Sequence, residues 1–347
     1  MTQLINIKAA ASTAEYRYAR GWHCLGMADD YRDGKLHTLN IFGTRLVAFA
    51  NQEGSISVLN AHCPHMGADL SQGELIDGRV VCPFHHWQFE ASGRCAEIPY
   101  CKRIPPKAKT RSWQTCEVNR LLFVWNNPEG NPPAPGVEIP YLPEIDSDEW
   151  DNDWHLDTMV IETNPRELVD NLVDAQHFGP VHGTPTTYFA NIFDRHIGHQ
   201  IFHGDSGRLG GDLVAESAYY GPATHFTRMR ANFEGLLVES ILLNCHVPIG
   251  PESFELRFGV LVKKVPGWSE EQNKELALQY VQNNRTSFYQ DVDIWKHKIR
   301  IDNPVLAEGD GPVYQLREWY QQFFMDEADV PASFAEPREI ITVDSRK

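Results

Sequence analysis

Two short loops, each carrying one cysteine and one histidine, constrain the fold of this chain more than any other feature. The first loop contains Cys63 and His65, and the second contains Cys82 and His85. Zinc modules usually pair cysteine with cysteine and histidine with histidine, whereas here each loop supplies one of each. That arrangement suits a [2Fe-2S] cluster in which one iron takes two thiolates and the other takes two imidazoles. The four residues are therefore predicted to hold such a cluster, and a zinc site is the alternative.

The sequence around these loops predicts a small all-β domain. Strand-like runs at residues 45–50, 56–59 and 121–125 are separated by turns that contain glycine and asparagine. Residues 126–154 are rich in proline, glycine and acidic side chains, which is typical of a linker or a surface crossing. We place the N-terminal domain at residues 16–127 and a second domain at 128–347. Residues 1–15 are expected to pack on the second domain.

The second domain is predicted to contain a strand, a helix, a long run of strands and then further helices. The first helix should begin at Asn164, a good N-cap, with Pro165 in the first helical position, and should end at Gly179-Pro180. A longer helix should run from Ser269 to Arg300, because a glutamine three residues after the serine completes a capping box.

A second set of metal ligands is predicted near the end of the first helix. Asn171, Asp174 and His177 recur at a spacing of three residues, so they share one side of a helix, and His182 follows five residues later. The break at Gly179-Pro180 lets the chain turn and bring His182 back to the metal. Two imidazoles and one carboxylate, with open positions, are the ligand set of non-haem iron(II) oxygenases.

The carboxylate should come from the long C-terminal helix, and two residues compete for the role. Asp291 lies in a stretch with Phe288 and Trp295, where burying an acid is costly unless a cation or a metal compensates it. Asp293 is the rival, on a different face of the helix. The plain structural alternative for Asp291 is an N-cap or an ion pair with Lys296.

Composition excludes several classes of function. The net charge of −16 argues against nucleic-acid binding, which needs a basic surface. No apolar run approaches the roughly 18 residues of a membrane span, and the N-terminus lacks the pattern of a secretory signal. The odd count of seven cysteines favours a reducing compartment, so the expected location is the cytoplasm.

With these residues in view, the chain resembles Rieske non-haem iron ring-hydroxylating oxygenases over nearly its whole length. Within them it is most similar to the oxygenase component of 3-ketosteroid 9α-hydroxylases. That narrower likeness rests on the two cluster loops, CPHMG and CPFHHW, and on the segments at residues 17–24, 290–306 and 312–320.

The resemblance implies an α+β fold and a set of roles. A Rieske β-domain is followed by a catalytic domain whose antiparallel sheet wraps a long C-terminal helix in a helix-grip arrangement. The ligand aspartate falls on Asp291, completing a triad with His177 and His182. The resemblance also implies a homotrimer in which Asp174 links His177 to the cluster histidine of a neighbouring subunit, matching His85. Asp174 and Asn171 are its expected catalytic residues.

The resemblance further implies a terminal monooxygenase component with one [2Fe-2S] cluster and one mononuclear Fe(II). It would take electrons from an NADH-dependent flavin or ferredoxin-type reductase and use O2 to hydroxylate a C–H bond of an apolar polycyclic substrate. The expected reaction is 9α-hydroxylation of a 3-ketosteroid. The alternatives are another aromatic or terpenoid substrate, a Rieske electron-transfer protein, and a zinc-stapled binding module.

Two features depart from the family pattern. His86 follows the second cluster loop where many members have glycine, and we expect it to be a tolerated solvent-side residue. The stretch at 203–222 is shorter than in the steroid enzymes, and we expect it to lie over the mouth of the pocket. Five aromatic residues are predicted either to line that pocket or to belong to the plain core: Tyr188, Phe189, Phe193, Phe226 and Phe233.

Overall fold

The computed structural model of the chain describes residues 16–151, 153–206 and 211–345. The expectation that residues 1–15 pack on the second domain lies outside these ranges. Within them, no helix has both the length and the apolar character needed to cross a membrane.

The N-terminal part of the described chain is built from short antiparallel strands, as the sequence predicts. They form three sheets with the orders β1-β11-β10, β2-β3-β4-β9 and β5-β6-β7-β8. The strands are β1 (Gly21–Met27), β2 (His37–Ile41), β3 (Thr44–Ala50), β4 (Ile56–Asn60), β5 (Glu74–Ile76), β6 (Arg79–Val81), β7 (Gln88–Phe89), β8 (Cys95–Glu97), β9 (Ser112–Trp113), β10 (Thr115–Val118) and β11 (Leu121–Asn126).

Both cluster loops leave the ends of buried strands. Cys63 follows β4 after two residues, and Cys82 directly follows β6. The two cysteines belong to one apolar core that also includes Phe49, Leu59 and Val80. This packing fixes the bases of the loops.

The second part is one eight-stranded antiparallel sheet with four α-helices. Its strand order is β12-β18-β17-β16-β15-β14-β13-β19, so most neighbours are joined by simple hairpins. The strands are β12 (His155–Ile161), β13 (Thr186–Asp194), β14 (Ile197–Ser206), β15 (Gly211–Tyr220), β16 (Thr224–Phe233), β17 (Leu236–Gly250), β18 (Ser253–Val262) and β19 (Arg338–Asp344), and the helices are α1 (Arg166–Val169), α2 (Phe178–His182), α3 (Glu270–Trp295) and α4 (Val313–Gln321).

The long helix α3 packs on one face of this sheet. Ser269 caps its N-terminus through a capping box with Gln272, which confirms the predicted start. The Tyr280 hydroxyl is hydrogen-bonded to Ser240 on β17 at 2.9 Å. Farther along, the ring of Phe288 stacks on Phe258 of β18, with ring centroids 4.6 Å apart. Those contacts hold the C-terminal half of α3 over the sheet, where Asp291 is located.

The two parts of the chain share a core. Trp22 and Trp125 of the N-terminal part pack with Phe226 and Leu243 of the large sheet. The buried Arg257 on β18 donates to the backbone carbonyl of Cys24 at 2.9 Å. These contacts join the two parts, and the division at residues 127 and 128 stays a prediction.

Two predictions about local structure are wrong. The first helix does not run to Gly179-Pro180. It ends at Val169, a 3-10 turn follows to Leu172, and Gly179 and Pro180 lie inside α2. The long helix ends at Trp295 rather than Arg300. Strand β19, which pairs with β13, was not predicted from the sequence.

The reason for the break in the first helix is visible at Asp174. Its Oδ1 accepts hydrogen bonds from the backbone N–H groups of Gln176 and His177 at 3.1 and 3.3 Å. An aspartate that bonds to the backbone two and three residues ahead competes with helical hydrogen bonding. The chain therefore turns before His177 and begins α2 immediately after it.

Candidate metal centres

The two cluster loops have the same backbone hydrogen-bond pattern. The N–H of Cys63 donates to the carbonyl of Ala68 at 2.8 Å, and the N–H of Gly67 donates to Cys63 at 2.9 Å. In the second loop, Cys82 donates to Trp87 at 2.9 Å, and His86 donates back to Cys82 at 3.0 Å. The loops are thus structural equivalents, and each presents one cysteine and one histidine.

The loop side chains are arranged by depth. Cys63 and Cys82 are buried, His65 is exposed and His85 is partly exposed. The two imidazoles lie edge to face, with ring centroids 4.5 Å apart. Trp87 stacks on His65 at 4.6 Å with the planes 9° from parallel, which fixes that ring.

This donor set fits a mixed-ligand [2Fe-2S] cluster. Burial, with the nearby Cys82 side chain contributing, raises the pKa of the Cys63 thiol to about 11. Two thiolates held this close inside the protein therefore need a cation to compensate their charge. The structure places the two cysteines at the buried ends of the loops and the two histidines farther out. The sequence predicts a cluster with this division of ligands, in which one iron is bound by sulfur and the other by nitrogen.

The second set of predicted ligands also meets. One possible ligand atom from each of His177, His182 and Asp291 lies within 4.8 Å of the other two. Nε2 of His182 is 3.3 Å from Oδ2 of Asp291, and the two imidazole centroids are 5.2 Å apart. The burial of Asp291, which is only 8% exposed, makes a compensating cation favourable.

The rival carboxylate points elsewhere. The side chain of Asp293 is 75% exposed, and Lys296 pairs with it at 3.4 Å. The ion pair that the sequence analysis weighed for Asp291 is thus made by Asp293. Of the two aspartates, only Asp291 lies beside the two histidines. Its role as a ligand is a proposal.

The remaining ring nitrogens are held so that both imidazoles can present Nε2 to a metal. Nδ1 of His177 donates to the backbone carbonyl of Asp174 at 2.8 Å. Nδ1 of His182 donates to Oε1 of Gln290 at 3.2 Å. Metal-binding histidines commonly donate their second N–H to a carbonyl or carboxyl group, which fixes the tautomer and the ring orientation. The residues present therefore fit a mononuclear metal.

Asp174 lies beside this centre without joining the triad. Its side chain is 50% exposed, and its Oδ1 is 3.7 Å from Nδ1 of His177. Burial acts to raise the pKa of Asp174, but hydrogen bonds from His177 and Gln176 outweigh it, so the pKa is lowered. The carboxylate is thus held in its charged form and remains accessible from outside the chain. Asn171 lines the cavity described next.

A cavity of about 170 Å³ opens beside the triad, between α3 and the sheet. This volume is below the roughly 300–1,000 Å³ of typical small-molecule sites, so a polycyclic ligand requires side chains such as Met229 to move. The lining residues are Leu168, Asn171, Leu172, His177, Phe178, His182, Gln200, Phe202, Leu213, Ala215, Ser217, Tyr219, His225, Thr227, Met229, Leu242, Asn244, Phe288, Asp291 and Trp295.

None of the five aromatic residues that were assigned either to the pocket or to the core lines the cavity. Phe189, Phe193, Phe226 and Phe233 belong to separate buried clusters, and Tyr188 packs against the ring of His203. The core alternative is therefore correct for the four phenylalanines. Of the stretch at 203–222, β15 lines the cavity with alternate residues, and residues 207–210 lie outside the described ranges.

Two features of the site escaped sequence analysis. Gln290 was assigned no role from the sequence, although its adjacency to Asp291 on a helix was the available signal. His86 has a backbone φ of 57°, and the equivalent Gly67 has a φ of 77°. This left-handed region favours glycine, although histidine is among the non-glycine residues enriched there. The exposed His86 side chain agrees with the expectation of a solvent-side residue.

Comparison with known families covers both parts of the chain. Residues 21–113 match the Rieske [2Fe-2S] domain, and residues 124–324 match the 3-ketosteroid 9alpha-hydroxylase C-terminal domain.

Curated relatives span most of the chain. A 3-ketosteroid-9-alpha-monooxygenase oxygenase component from Rhodococcus rhodochrous is 48% identical over 90% of this chain and 85% of its own length. The protein of the same description from Mycobacterium tuberculosis is 46% identical over 95% of this chain and 88% of its own.

Solved structures share the fold at low sequence identity. Dicamba monooxygenase bound to dicamba superposes with a TM-score of 0.74 at 18% identity, covering 90% of this chain and 99% of that one. A mutant of NdmA from Pseudomonas putida with theobromine gives a TM-score of 0.71 at 15% identity, covering 92% and 96%. These likenesses establish the arrangement of a Rieske domain on a large antiparallel sheet.

Proposed function

Because this chain belongs to the 3-ketosteroid 9α-hydroxylase family of Rieske oxygenases, we propose that it hydroxylates C9 of a 3-ketosteroid on the α face. It acts as the oxygenase component of a multicomponent monooxygenase. Its cofactors are one Rieske [2Fe-2S] cluster and one mononuclear non-haem iron. When bound, the cluster carries single electrons and the mononuclear iron activates dioxygen.

One observation carries this proposal. His177, His182 and Asp291 converge at the wall of a mostly apolar cavity, on the same chain as the paired Cys/His loops. An electron-transfer protein has no use for a second metal centre that opens into an apolar cavity. A zinc module would not need the family's catalytic domain.

The protein's own residues perform three tasks in this reaction. Gln290 and the carbonyl of Asp174 hold the two imidazoles in the orientation that ligation needs. Apolar side chains such as Phe202 and Trp295 bury the substrate's rings and exclude water from the reacting position. His177, His182 and Asp291 would hold the metal with three protein ligands, and its remaining positions would be free for O2 beside the substrate.

The ligand roles belong to the same proposal. Cys63, His65, Cys82 and His85 are the proposed ligands of the cluster. His177, His182 and Asp291 are the proposed ligands of the mononuclear iron. The paired loop geometry and the convergence of the triad support these assignments.

The partners are proposed on narrower grounds. An oxygenase component needs a separate reductase, and we propose an NADH-dependent flavin or ferredoxin-type protein.

We also propose a homotrimer, in which the half-exposed carboxylate of Asp174 reaches His85 of the neighbouring subunit. The Asp174 carboxylate would then accept a hydrogen bond from His85, while its backbone carbonyl accepts one from Nδ1 of His177 at 2.8 Å. A cytoplasmic location is kept as a proposal, and all seven cysteines are free.

The test is product analysis with the purified protein, a purified reductase of this type and NADH. Androst-4-ene-3,17-dione and a small panel of other 3-ketosteroids are incubated under ¹⁸O2, and the products are identified by mass spectrometry and NMR. The expected product carries a 9α-hydroxyl group whose oxygen derives from ¹⁸O2. Hydroxylation only at another carbon, or only of aromatic or terpenoid compounds, would replace the steroid assignment. Asp293→Ala is the control variant and should retain activity.

A further inference from the structure

One histidine in the cavity has no role in either metal centre. His225 is the second residue of strand β16 and lines the cavity. Both of its ring nitrogens are shielded from solvent, and neither has a hydrogen-bond partner among the residues that the structure describes. The ring stacks on Tyr219 with centroids 4.4 Å apart, which fixes its plane.

The polar side chains around His225 form no hydrogen bond with its ring nitrogens. The hydroxyls of Ser217 and Thr227 are hydrogen-bonded to each other at 2.9 Å. Asn244 pairs with His225 across strands β16 and β17, and its Oδ1 also lacks a partner within the described chain. Buried polar atoms are nearly always hydrogen-bonded in native proteins. Two neighbouring side chains with unmet hydrogen-bonding capacity at a cavity wall indicate a ligand atom.

The charge state of His225 limits the kind of ligand. Burial lowers the pKa of His225 to about 3, and burial is the sole cause of that shift. The ring is therefore neutral at physiological pH, with one donor and one acceptor nitrogen. A neutral imidazole suits an uncharged oxygen, either a ketone that accepts or a hydroxyl that donates.

The position of His225 separates it from the reacting carbon. Met229 lies on the same face of β16 as His225 and pairs with Ala215 of β15. Ala215 in turn pairs with Phe202 of β14. The ring of Phe202 stacks on Phe178, the residue after His177. His225 lies four residues before Met229 on β16, which is about 13 Å at roughly 3.3 Å per residue. His225 therefore contacts a part of the ligand away from Phe178 and the adjacent ligand histidine.

We propose that His225 determines specificity by hydrogen-bonding one uncharged oxygen substituent of the polycyclic substrate at the β16 end of the cavity. This inference rests on the proposed function, because it concerns the substrate of the same site. A buried polar group left unpaired disfavours binding, so a site of this kind rejects analogues that lack the oxygen. His225 is thus a determinant of which steroids bind, while the metal ligands determine the reaction.

The test measures steroid binding by calorimetry, with no reductase present and hence no turnover. The ligands are androst-4-ene-3,17-dione and two analogues that lack either the C3 or the C17 oxygen. Wild-type protein should bind one of the analogues about tenfold or more weakly than the dione. In His225→Phe that ratio should fall to about one, because the dione loses affinity while the discriminated analogue does not. His225→Met makes the same test if the Phe variant does not fold.

His199→Phe is the matched control, since His199 is a partly buried histidine of β14 that does not line the cavity. It should retain the wild-type ratio. An unchanged ratio in both His225 variants would overturn the proposal, and so would an equal loss of affinity for all three steroids. Failure of the proposed function gives a different result: discrimination in binding persists, but no 9α-hydroxylated product forms when the reductase is added.

Discussion

Gln290 and Asp291 are consecutive residues of helix α3, and both act on the same imidazole. Oε1 of Gln290 accepts from Nδ1 of His182 at 3.2 Å, while Oδ2 of Asp291 lies 3.3 Å from Nε2 of that ring. One helical segment thus supplies a metal ligand and also orients a second ligand 108 positions earlier in the chain. This coupling gives the mononuclear site a geometry that can be tested residue by residue.

Replacing Gln290 with leucine should weaken binding of the mononuclear iron. Without an acceptor for Nδ1–H, the ring of His182 is free to rotate, and comparable losses cost about 10- to 100-fold in metal affinity. The measurement is iron affinity by chelator competition, with the cluster absorbance recorded in the same sample. Gln279→Leu, at an exposed position on the same helix, should change neither value. Full iron affinity in Gln290→Leu would remove the orienting role.

The two acidic residues of α3 should behave differently. Asp291→Ala removes a ligand from the triad, so the protein should lose mononuclear iron and activity while keeping its cluster. Asp293→Ala removes only an exposed pair with Lys296, worth at most about 1 kcal/mol, and should keep both metals. Metal analysis by mass spectrometry decides the matter, and the reverse order of iron loss would move the ligand to Asp293.

The backbone at His86 gives a prediction about stability. Its φ of 57° is a conformation that glycine adopts freely and β-branched side chains adopt poorly. His86→Gly should therefore fold with the cluster spectrum intact. His86→Val should be less stable than His86→Gly by about 1–2 kcal/mol. Urea unfolding of the two variants measures the difference, and equal stabilities would show that this turn is not strained.

The sequence identified the site chemistry well and its surroundings poorly, for physical reasons. The loop ligands and the pair His177 and His182 lie close together in sequence, so their spacing reveals which donor types meet. The helix before His177 was extended too far because the backbone bonds made by Asp174 cannot be read from periodicity.

The sequence did not decide which aromatic residues line the cavity, because the composition of the wall depends on strand register. Phe226 and Thr227 are adjacent on β16, yet Phe226 joins the core shared with the N-terminal part and Thr227 faces the cavity. A shift of one residue exchanges the two faces. The pairing that decides between them involves strands whose register the local sequence does not encode.

The free energy of unfolding should fall steeply as the pH is lowered, because three buried histidines resist protonation in the folded protein. Burial lowers the pKa of His23 to about 4 and that of His225 to about 3, and it lowers the pKa of His246 well below the usual value. Below an unfolded-state pKa of about 6.5, the unfolded chain binds protons that the folded chain excludes. The free energy of unfolding therefore falls as the pH falls, by up to about 1.4 kcal/mol per pH unit for each histidine.

The variant His246→Leu removes one of these groups. Between pH 6 and pH 5, its free energy of unfolding should fall less steeply than that of the wild type, by roughly 1 kcal/mol per pH unit. The exposed His297→Leu serves as the control and should follow the wild-type slope. Identical slopes for His246→Leu and the wild type would mean that His246 is protonated in the folded protein.

The most direct test of the whole account is a single turnover of pre-reduced protein mixed with androst-4-ene-3,17-dione and O2. Cluster reoxidation and product formation are followed together in the wild type, Asp291→Ala and Asp174→Asn. The account predicts that cluster oxidation and 9α-hydroxylation proceed together in the wild type. It predicts that Asp291→Ala forms no product, and that Asp174→Asn keeps both metals but reoxidises its cluster orders of magnitude more slowly. Wild-type product formation in Asp291→Ala, or cluster oxidation without any hydroxylated steroid in the wild type, would contradict it.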